Sequence, residues 1–338
     1  MPTVLDVAKR AGVAPITVSR VINNSGYISQ ATRERVETAV KELGYIPNTL
    51  ARSLRSKKTR TLALVVTDIT NPYFTLMARG VEDVAGNCNY SVIYCNTDES
   101  ETKEEKYANL LAQRQVDGVL LVPSGGNIET IRFLLSNDIP VVGLDRQSSG
   151  VEIDSVRSDS EGGANRLTKL LVGLDHKYIA LITGPKDVST SVDRVKGYQR
   201  ALAEAGLAEN KLVYYGAFKQ RSGYEFTKRA MTQSPKPTAF FGANNFIAIG
   251  ILKALRDLKV KVPDDVSVVG FDDLPESMLM DPFLTVAKQP AYEIGRMATE
   301  LLLKRISDEL SEGYQELVLP IEIIERESTG PYKTQELN

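Results

Sequence analysis

The run Val141-Val142-Gly143-Leu144 is apolar and largely β-branched, as a buried strand should be, yet Asp145, Arg146 and Gln147 follow it without a break. A strand does not carry a carboxylate and a guanidinium inward unless polar groups wait to meet them. The pair is either a rim ion pair or part of a binding site. Six further strand-like runs lead to comparable residues. LALVV leads to Asn71-Pro72-Tyr73-Phe74, IALIT through a short loop to Arg194, LVYYG to Phe218, AFFGA to Asn244 and VSVVGF to Asp272, while TVAKQP carries Gln289. Aromatic rings can cover the C–H faces of a sugar, and planar Asp, Asn, Gln and Arg groups can grip its hydroxyls. Two Asp against two Arg leave the set formally neutral, which suits an uncharged polyol better than a phosphate or a carboxylate. Any single member has an ordinary explanation, Asp145–Arg146 as a rim pair or Tyr73–Phe74 as core. Their coincidence at strand ends is the signal.

A second chemistry sits at the other end of the chain. Arg20 suits a guanine edge and Ile16 a thymine methyl, while Ser19, Asn23 and Tyr45 suit phosphates. The stretch TVLDVAKRAGVAPITVSRVIN reads as two short helices around a tight turn. Thr3 and Asp6 form a capping box, and Gly12 ends the first helix. Val7, Ala8 and Ala11 can face Val18, Val21 and Ile22. The second helix has Ala14 where a capping side chain is expected, and Pro15 at its first position partly compensates. Ser29 caps a third helix with the stripe Val36, Val40 and Leu43, closed by Gly44. Three such helices make a helix-turn-helix, whose second helix enters the major groove with Pro15, Ile16 and Arg20 facing outward. Next, PNTLARSLRSKKTR has Asn48 as a cap and Leu50, Ala51 and Leu54 on one side, with no adjacent core. So short and basic a helix is marginal alone, and its leucine could wedge between base steps of a minor groove.

The elements that must position the first set begin at Leu62. Short apolar strands alternate with helices in two series, which means parallel sheets covered on both faces and two similar lobes. Ligands of such sheets lie beyond the carboxyl ends of the strands. Neither GxGxxG nor a Walker motif follows any strand, so no nucleotide cofactor is expected.

Length and composition agree. At 338 residues, with 42% hydrophobic and 25% charged, the chain suits a globular protein of two or three domains. The net charge of −2 is uneven: residues 1–60 hold eleven Lys/Arg against four Asp/Glu, so a basic head sits on an acidic body and should meet a polyanion. No membrane span or signal segment is apparent, so a cytoplasmic protein is expected, with Cys88 and Cys95 as ordinary core or near-core thiols. The one histidine, His176, should cap or pack before its strand, leaving no metal site and no catalytic triad. Two arginines beside the cleft carboxylates should keep both ionised, which is wrong for a glycosidase acid. No enzyme activity is expected. The tail TGPYKTQELN carries no heptads, so no tetramerisation helix is expected there.

The segment LDVAKRAGVAPITVSRVIN, followed by TRERVETAVKELGYIPNTLARSL, resembles the DNA-binding head and hinge of the LacI/GalR repressor family, without a gap over about the first 60 residues. That resemblance implies DNA contacts at Thr3, Pro15, Ile16, Thr17, Ser19, Arg20, Asn23, Tyr45, Asn48, Ala51, Leu54 and Arg55, with Leu54 intercalating at the operator centre. Ala14, where the family commonly has Ser, is a departure. The body resembles the periplasmic sugar-binding fold used by this family. NPYF, LDRQ, DRVKGY, GAF, GANN, GFDD and KQPA look most like ribose-binding members and ribose repressors. By that likeness Asn71, Tyr73, Phe74, Asp145, Arg146, Arg194, Phe218, Asn244, Asp272 and Gln289 contact a pentose. Tyr73 stands where Phe is typical, and Asn245 where Asp is common.

The implied organisation is a helix-turn-helix head (1–46), a hinge helix and linker (47–60), and a ligand-binding and dimerisation body (61–338). Within the body the N-lobe spans about 61–160 and 291–320, and the C-lobe about 161–290 and 321–330. The implied function is a homodimeric repressor of a pseudo-palindromic operator, with D-ribose as inducer. The alternatives are a purine, sugar phosphate or phosphoprotein corepressor in the same family, or a transport-type sugar-binding protein.

Overall fold

The computed structural model describes residues 2–46, 58–126, 128–274, 282–310 and 313–332. The expected contacts at Asn48, Ala51, Leu54 and Arg55 lie outside these. The chain divides into two compact units, Met1–Thr59 and Arg60–Asn338.

The first unit holds helices Val4–Ala11, Pro15–Ile22 and Gln30–Leu43. The capping box is closed on both sides: Asp6 N–H donates to Thr3 Oγ1 at 3.3 Å, and Thr3 N–H donates to the Asp6 carboxylate at 2.7 Å. Gly12 ends the helix in the left-handed region at φ 64°, where a side chain is costly. Ala14 supplies no side-chain cap, and Pro15 begins the second helix. Val7, Ala8, Ala11, Val18, Val21, Val36 and Ala39 form the core, with Ile22, Val40 and Leu43 only partly buried at its edge. One expectation is corrected here. Ser29 precedes the third helix, but its hydroxyl bonds Thr32 Oγ1 at 2.9 Å and caps no backbone N–H.

The second unit is built on two six-stranded sheets. The first contains β1 (Thr61–Val66), β2 (Ser91–Asn96), β3 (Gly118–Leu121), β4 (Val141–Leu144), β5 (Asp154–Ser158) and β11 (Glu316–Leu319), in the order β11-β5-β4-β3-β1-β2 and parallel throughout. The second contains β6 (Ile179–Thr183), β7 (Leu212–Tyr215), β8 (Ala239–Gly242), β9 (Ser267–Phe271), β10 (Thr285–Lys288) and β12 (Glu322–Ile324), in the order β12-β10-β9-β8-β6-β7, with only β12 antiparallel. The pleat explains the unbroken apolar runs. In β1, Leu62, Leu64 and Val66 pack into one cluster, while Ala63 and Val65 pack into another on the opposite face. In β6, Ile179 and Leu181 face one cluster, and Ala180 and Ile182 the other. Both faces are covered, so neither needs polar residues.

The chain passes between the sheets three times: after Ser158, at Gln289–Pro290, and between Leu319 and Ile321. The passages lie side by side, with Asp159 N–H donating to Leu319 O at 2.9 Å. After the second passage, helix Ala291–Ile306 packs on the first sheet and against helix Pro72–Asn87. Their closest approach is backbone on backbone, because a Cβ at Gly80 would collide with Tyr292 O, and one at Gly295 with Met77 O. Gly295→Val is therefore expected to destabilise the fold by about 3 kcal/mol or more. Gly86→Ala, in the same pair but facing open space, should gain about 0.5–1 kcal/mol from helix propensity. Thermal unfolding of both variants checks the contrast.

Candidate functional site

The carboxyl ends of β1, β2 and β4 in one sheet, and of β6, β7, β8, β9 and β10 in the other, open on one cavity of about 260 Å³. In each sheet the strand order reverses beside the first strand, at β1–β3 and at β6–β8, the switch point where such folds bind ligands. All ten side chains expected there line it: Asn71, Tyr73, Phe74, Asp145, Arg146, Arg194, Phe218, Asn244, Asp272 and Gln289. Nine of them are buried, and Phe218 is half-buried.

Local structure fixes their aim. Asn71 caps helix Pro72–Asn87 by accepting Tyr73 N–H at 3.0 Å, so Tyr73 and Phe74 sit on its first turn, ring edge to ring face. Asn71 Oδ1 also accepts Asn245 Nδ2 at 2.9 Å, a hydrogen bond between the two lobes. Asn244 caps the helix after β8 through Ile247 N–H at 2.8 Å. Asp145 and Asp272 are a matched pair. Each follows a strand ending in Gly-Leu or Gly-Phe, and each is held in the left-handed region, at φ 62° and 67°. Each also adds one ladder bond, Asp145 N–H to Val156 O at 3.1 Å and Asp272 N–H to Ala287 O at 3.0 Å. Non-glycine residues rarely adopt that conformation, and sites that do so often serve ligands.

The polar groups are already partly engaged. The Tyr73 hydroxyl donates to Asp145 Oδ1 at 2.8 Å. Its pKa is driven up by burial and then by the Asp145 and Asp272 carboxylates, so it stays a neutral donor. That hydrogen bond also orients the Asp145 carboxylate. Gln289 Nε2 donates to Asp272 Oδ1, and Ser158 Oγ donates to Gln289 Oε1. Arg194 lies over the Phe271 ring at 3.9 Å and donates from Nη1 to Ala243 O at 2.6 Å, while its Nε has no hydrogen-bond partner among the described residues.

One expectation about charge is corrected. Burial raises Asp272 to about 6, outweighing Arg194 and the Gln289 hydrogen bond, with Asp145 and Asp273 pushing the same way as burial, so it is still mostly ionised at neutral pH. The lining, however, is not neutral. Asp68, Asp98 and Glu99 join Asp145 and Asp272 there, against Arg146, Arg194 and Lys219, which makes five carboxylates to three cations. Glu99, absent from the expected set, takes both Nη groups of Arg146. No sequence signal near Glu99 marks it, because its partner is 47 residues away.

Elsewhere, His176 is buried, with Nδ1 3.0 Å from Thr238 Oγ1 and Nε2 2.9 Å from Ser267 Oγ. Cys95 is buried, its thiol pushed up to about 11 by desolvation, but Cys88 is exposed and not part of any core. No helix among the described residues is long and apolar enough to cross a membrane.

On the head, Pro15, Ile16 and Arg20 are exposed along the second helix, and Arg20 has no ion-pair partner among the described residues. Thr3 is exposed, and Thr17, Ser19 and Tyr45 are half-buried. Ser19 and Asn23, expected at phosphates, are joined to each other: Asn23 Nδ2 donates to Ser19 O at 2.8 Å and lies 3.3 Å from Ser19 Oγ. Tyr27, almost fully exposed, was not anticipated.

Residues 3–48 match the model for bacterial regulatory proteins of the lacI family, and residues 168–329 the periplasmic binding protein-like domain. The ribose operon repressor of Halalkalibacterium halodurans is 37% identical over 97% of both chains. The HTH-type transcriptional repressor PurR of Photobacterium profundum is 34% identical, covering 92% of this chain and 94% of that one. The structure of a LacI family transcriptional regulator from Enterococcus faecium with bound ribose superposes at TM-score 0.73 and 30% identity, covering 81% of this chain and all of that one. Helix-turn-helix head, paired parallel sheets and relatives aligned almost end to end agree, and the chain belongs to the lacI family of ligand-regulated, DNA-binding transcriptional repressors.

Proposed function

We infer that this repressor answers a small uncharged sugar, D-ribose first among them, acting as inducer. The observation that carries the reading is the convergence of ten aromatic, carboxylate, amide and guanidinium side chains from both lobes on one cavity of about 260 Å³. The ribose operon relative and the ribose-bound neighbour support the same ligand. Two heads, supplied by a homodimer, read the halves of a pseudo-palindromic operator in the cytoplasm. The sugar favours one arrangement of the lobes and releases the operator through its differential affinity for the two states.

Calorimetric titration with D-ribose, other pentoses and hypoxanthine tests the ligand. Saturable ribose binding that weakens roughly tenfold or more in Asp272→Ala supports it. Binding of hypoxanthine alone overturns the sugar and favours the corepressor reading that the PurR relative suggests.

A pH dependence follows. Ionised Asp272 accepts a hydroxyl and protonated Asp272 does not, so ribose affinity rises as pH passes about 6. Between pH 5 and pH 7 the dissociation constant should fall by roughly tenfold and then level off. Without sugar the sign is opposite. A carboxyl whose folded pKa is raised contributes stability at low pH that is lost as pH climbs through about 6. Titrations and melts across this range in Asp272→Asn, which should be flat, check both.

A further inference from the structure

Arg146 is the natural anchor for an anion in this cleft, and the protein has filled its grip. The guanidinium, 5% exposed, meets Glu99 fork to fork, with Nη1 to Oε2 and Nη2 to Oε1 both at 2.7 Å. Nη1 also donates to Pro123 O at 2.9 Å. Three of the five N–H groups of an arginine are thereby used. The remaining pair, Nε–H and one hydrogen on Nη2, is a second fork, but Nε is buried without a hydrogen-bond partner among the described residues and lies 3.9 Å from Asp145 Oδ2, so a carboxylate already stands on that side. A paired, parallel set of N–H donors is what a phosphate would otherwise take.

The loop is built to hold Glu99 in place. Asp98 and Glu99 are both left-handed, at φ 53° and 59°. Asp98 is fastened by Lys103 and by Asn96 Nδ2 at 2.7 Å, and Ser100 caps the next helix through Lys103 N–H at 3.3 Å. Glu99 lines the same cavity as Asp145 and Asp272, with its side chain 26% exposed.

We propose that Glu99 determines ligand charge: it occupies the anion-gripping fork of Arg146 with a carboxylate of the protein and so restricts the cleft to uncharged ligands. The inference rests on the sugar reading of the cleft and narrows it to free sugars over their phosphates. A phosphate beside Arg146 would have to displace Glu99 and leave that carboxylate unpaired, with Asp145 next to it. Specificity by such repulsion needs no extra attraction to the favoured ligand. A polyol hydroxyl, by contrast, can accept from the remaining Nη2 hydrogen and donate to the Asp145 carboxylate.

The test is calorimetry on the full-length protein with D-ribose, ribose 5-phosphate and inorganic phosphate. Wild type should bind D-ribose at least a hundredfold more tightly than ribose 5-phosphate. In Glu99→Gln, which keeps size and shape but removes the charge, that ratio should fall tenfold or more. Inorganic phosphate should bind this variant alone, and adding Arg146→Met should abolish that binding. Glu99→Ala replaces the Gln variant if the latter melts early. An unchanged ratio with no phosphate uptake in a folded variant overturns the proposal, as does a wild type that takes ribose 5-phosphate as well as ribose. If wild type binds neither pentose, the sugar reading fails, while the phosphate arm still judges Glu99. Uptake by the variant alone upholds its role, and uptake by neither protein refutes it.

Discussion

Asp272→Ala is expected to bind operator like wild type and to ignore sugar at any concentration that releases wild type. Asp272 lies at the end of β9 in the cleft, held at a left-handed φ of 67° and bonded to Gln289, in a different compact unit from the head. Removing it takes away a buried acceptor for a ligand hydroxyl, a loss of about 1.5–3 kcal/mol for a charged hydrogen bond. It also removes the contact to Gln289 beside the passage between lobes. The effect on induction should therefore exceed the effect on affinity, which alone is roughly 10- to 150-fold. Folding should survive, because the substitution relieves the cost of a buried carboxylate raised to about 6 while forfeiting one hydrogen bond. The measurement is operator release followed by fluorescence anisotropy as sugar is added. A variant that no longer binds operator would assign Asp272 a structural role instead.

Arg20→Ala should do the reverse, sparing sugar binding and crippling the operator. Arg20 is exposed on helix Pro15–Ile22, with no carboxylate of the described residues engaging it. A bidentate arginine–guanine contact is worth about 1–3 kcal/mol of discrimination, and a two-headed dimer makes it twice. Affinity for a duplex selected by wild type should drop at least about thirtyfold. Tolerance should widen at one symmetric pair of positions, with the salt dependence unchanged. If instead binding weakens equally on all duplexes, and the salt slope falls by about one per half-site, Arg20 holds a phosphate and reads no base.

Much of this was legible in the residues because it obeys short-range rules. The Thr3–Asp6 capping box, Pro15 at a helix start and Gly12 at a helix end are each set by neighbours three or four positions away. The cleft residues were legible because parallel sheets present ligands at strand ends, a rule that turns sequence order into position. What escaped lies where that logic stops. Strands β5, DSVRS, and β11, ELVL, carry charges and run partly exposed, so no apolar run announces them. Ser29 looked like a cap, yet Thr32 offers its hydroxyl a competing partner that local pattern cannot rank. Glu99 sits in the acidic turn TDES, and only the folded chain brings it to Arg146.

The bond from Ser158 to Gln289, and from Gln289 to Asp272, joins the cavity lining to two of the three passages between the sheets. In mechanical language, the sensor is mounted on the fulcrum. On the sugar reading, a guest seated there would need to shift one amide only slightly for the far edges of both lobes to travel much further, by simple leverage. The signal then requires no relay of repacked side chains across either core, and those tightly packed interiors can move as stiff levers.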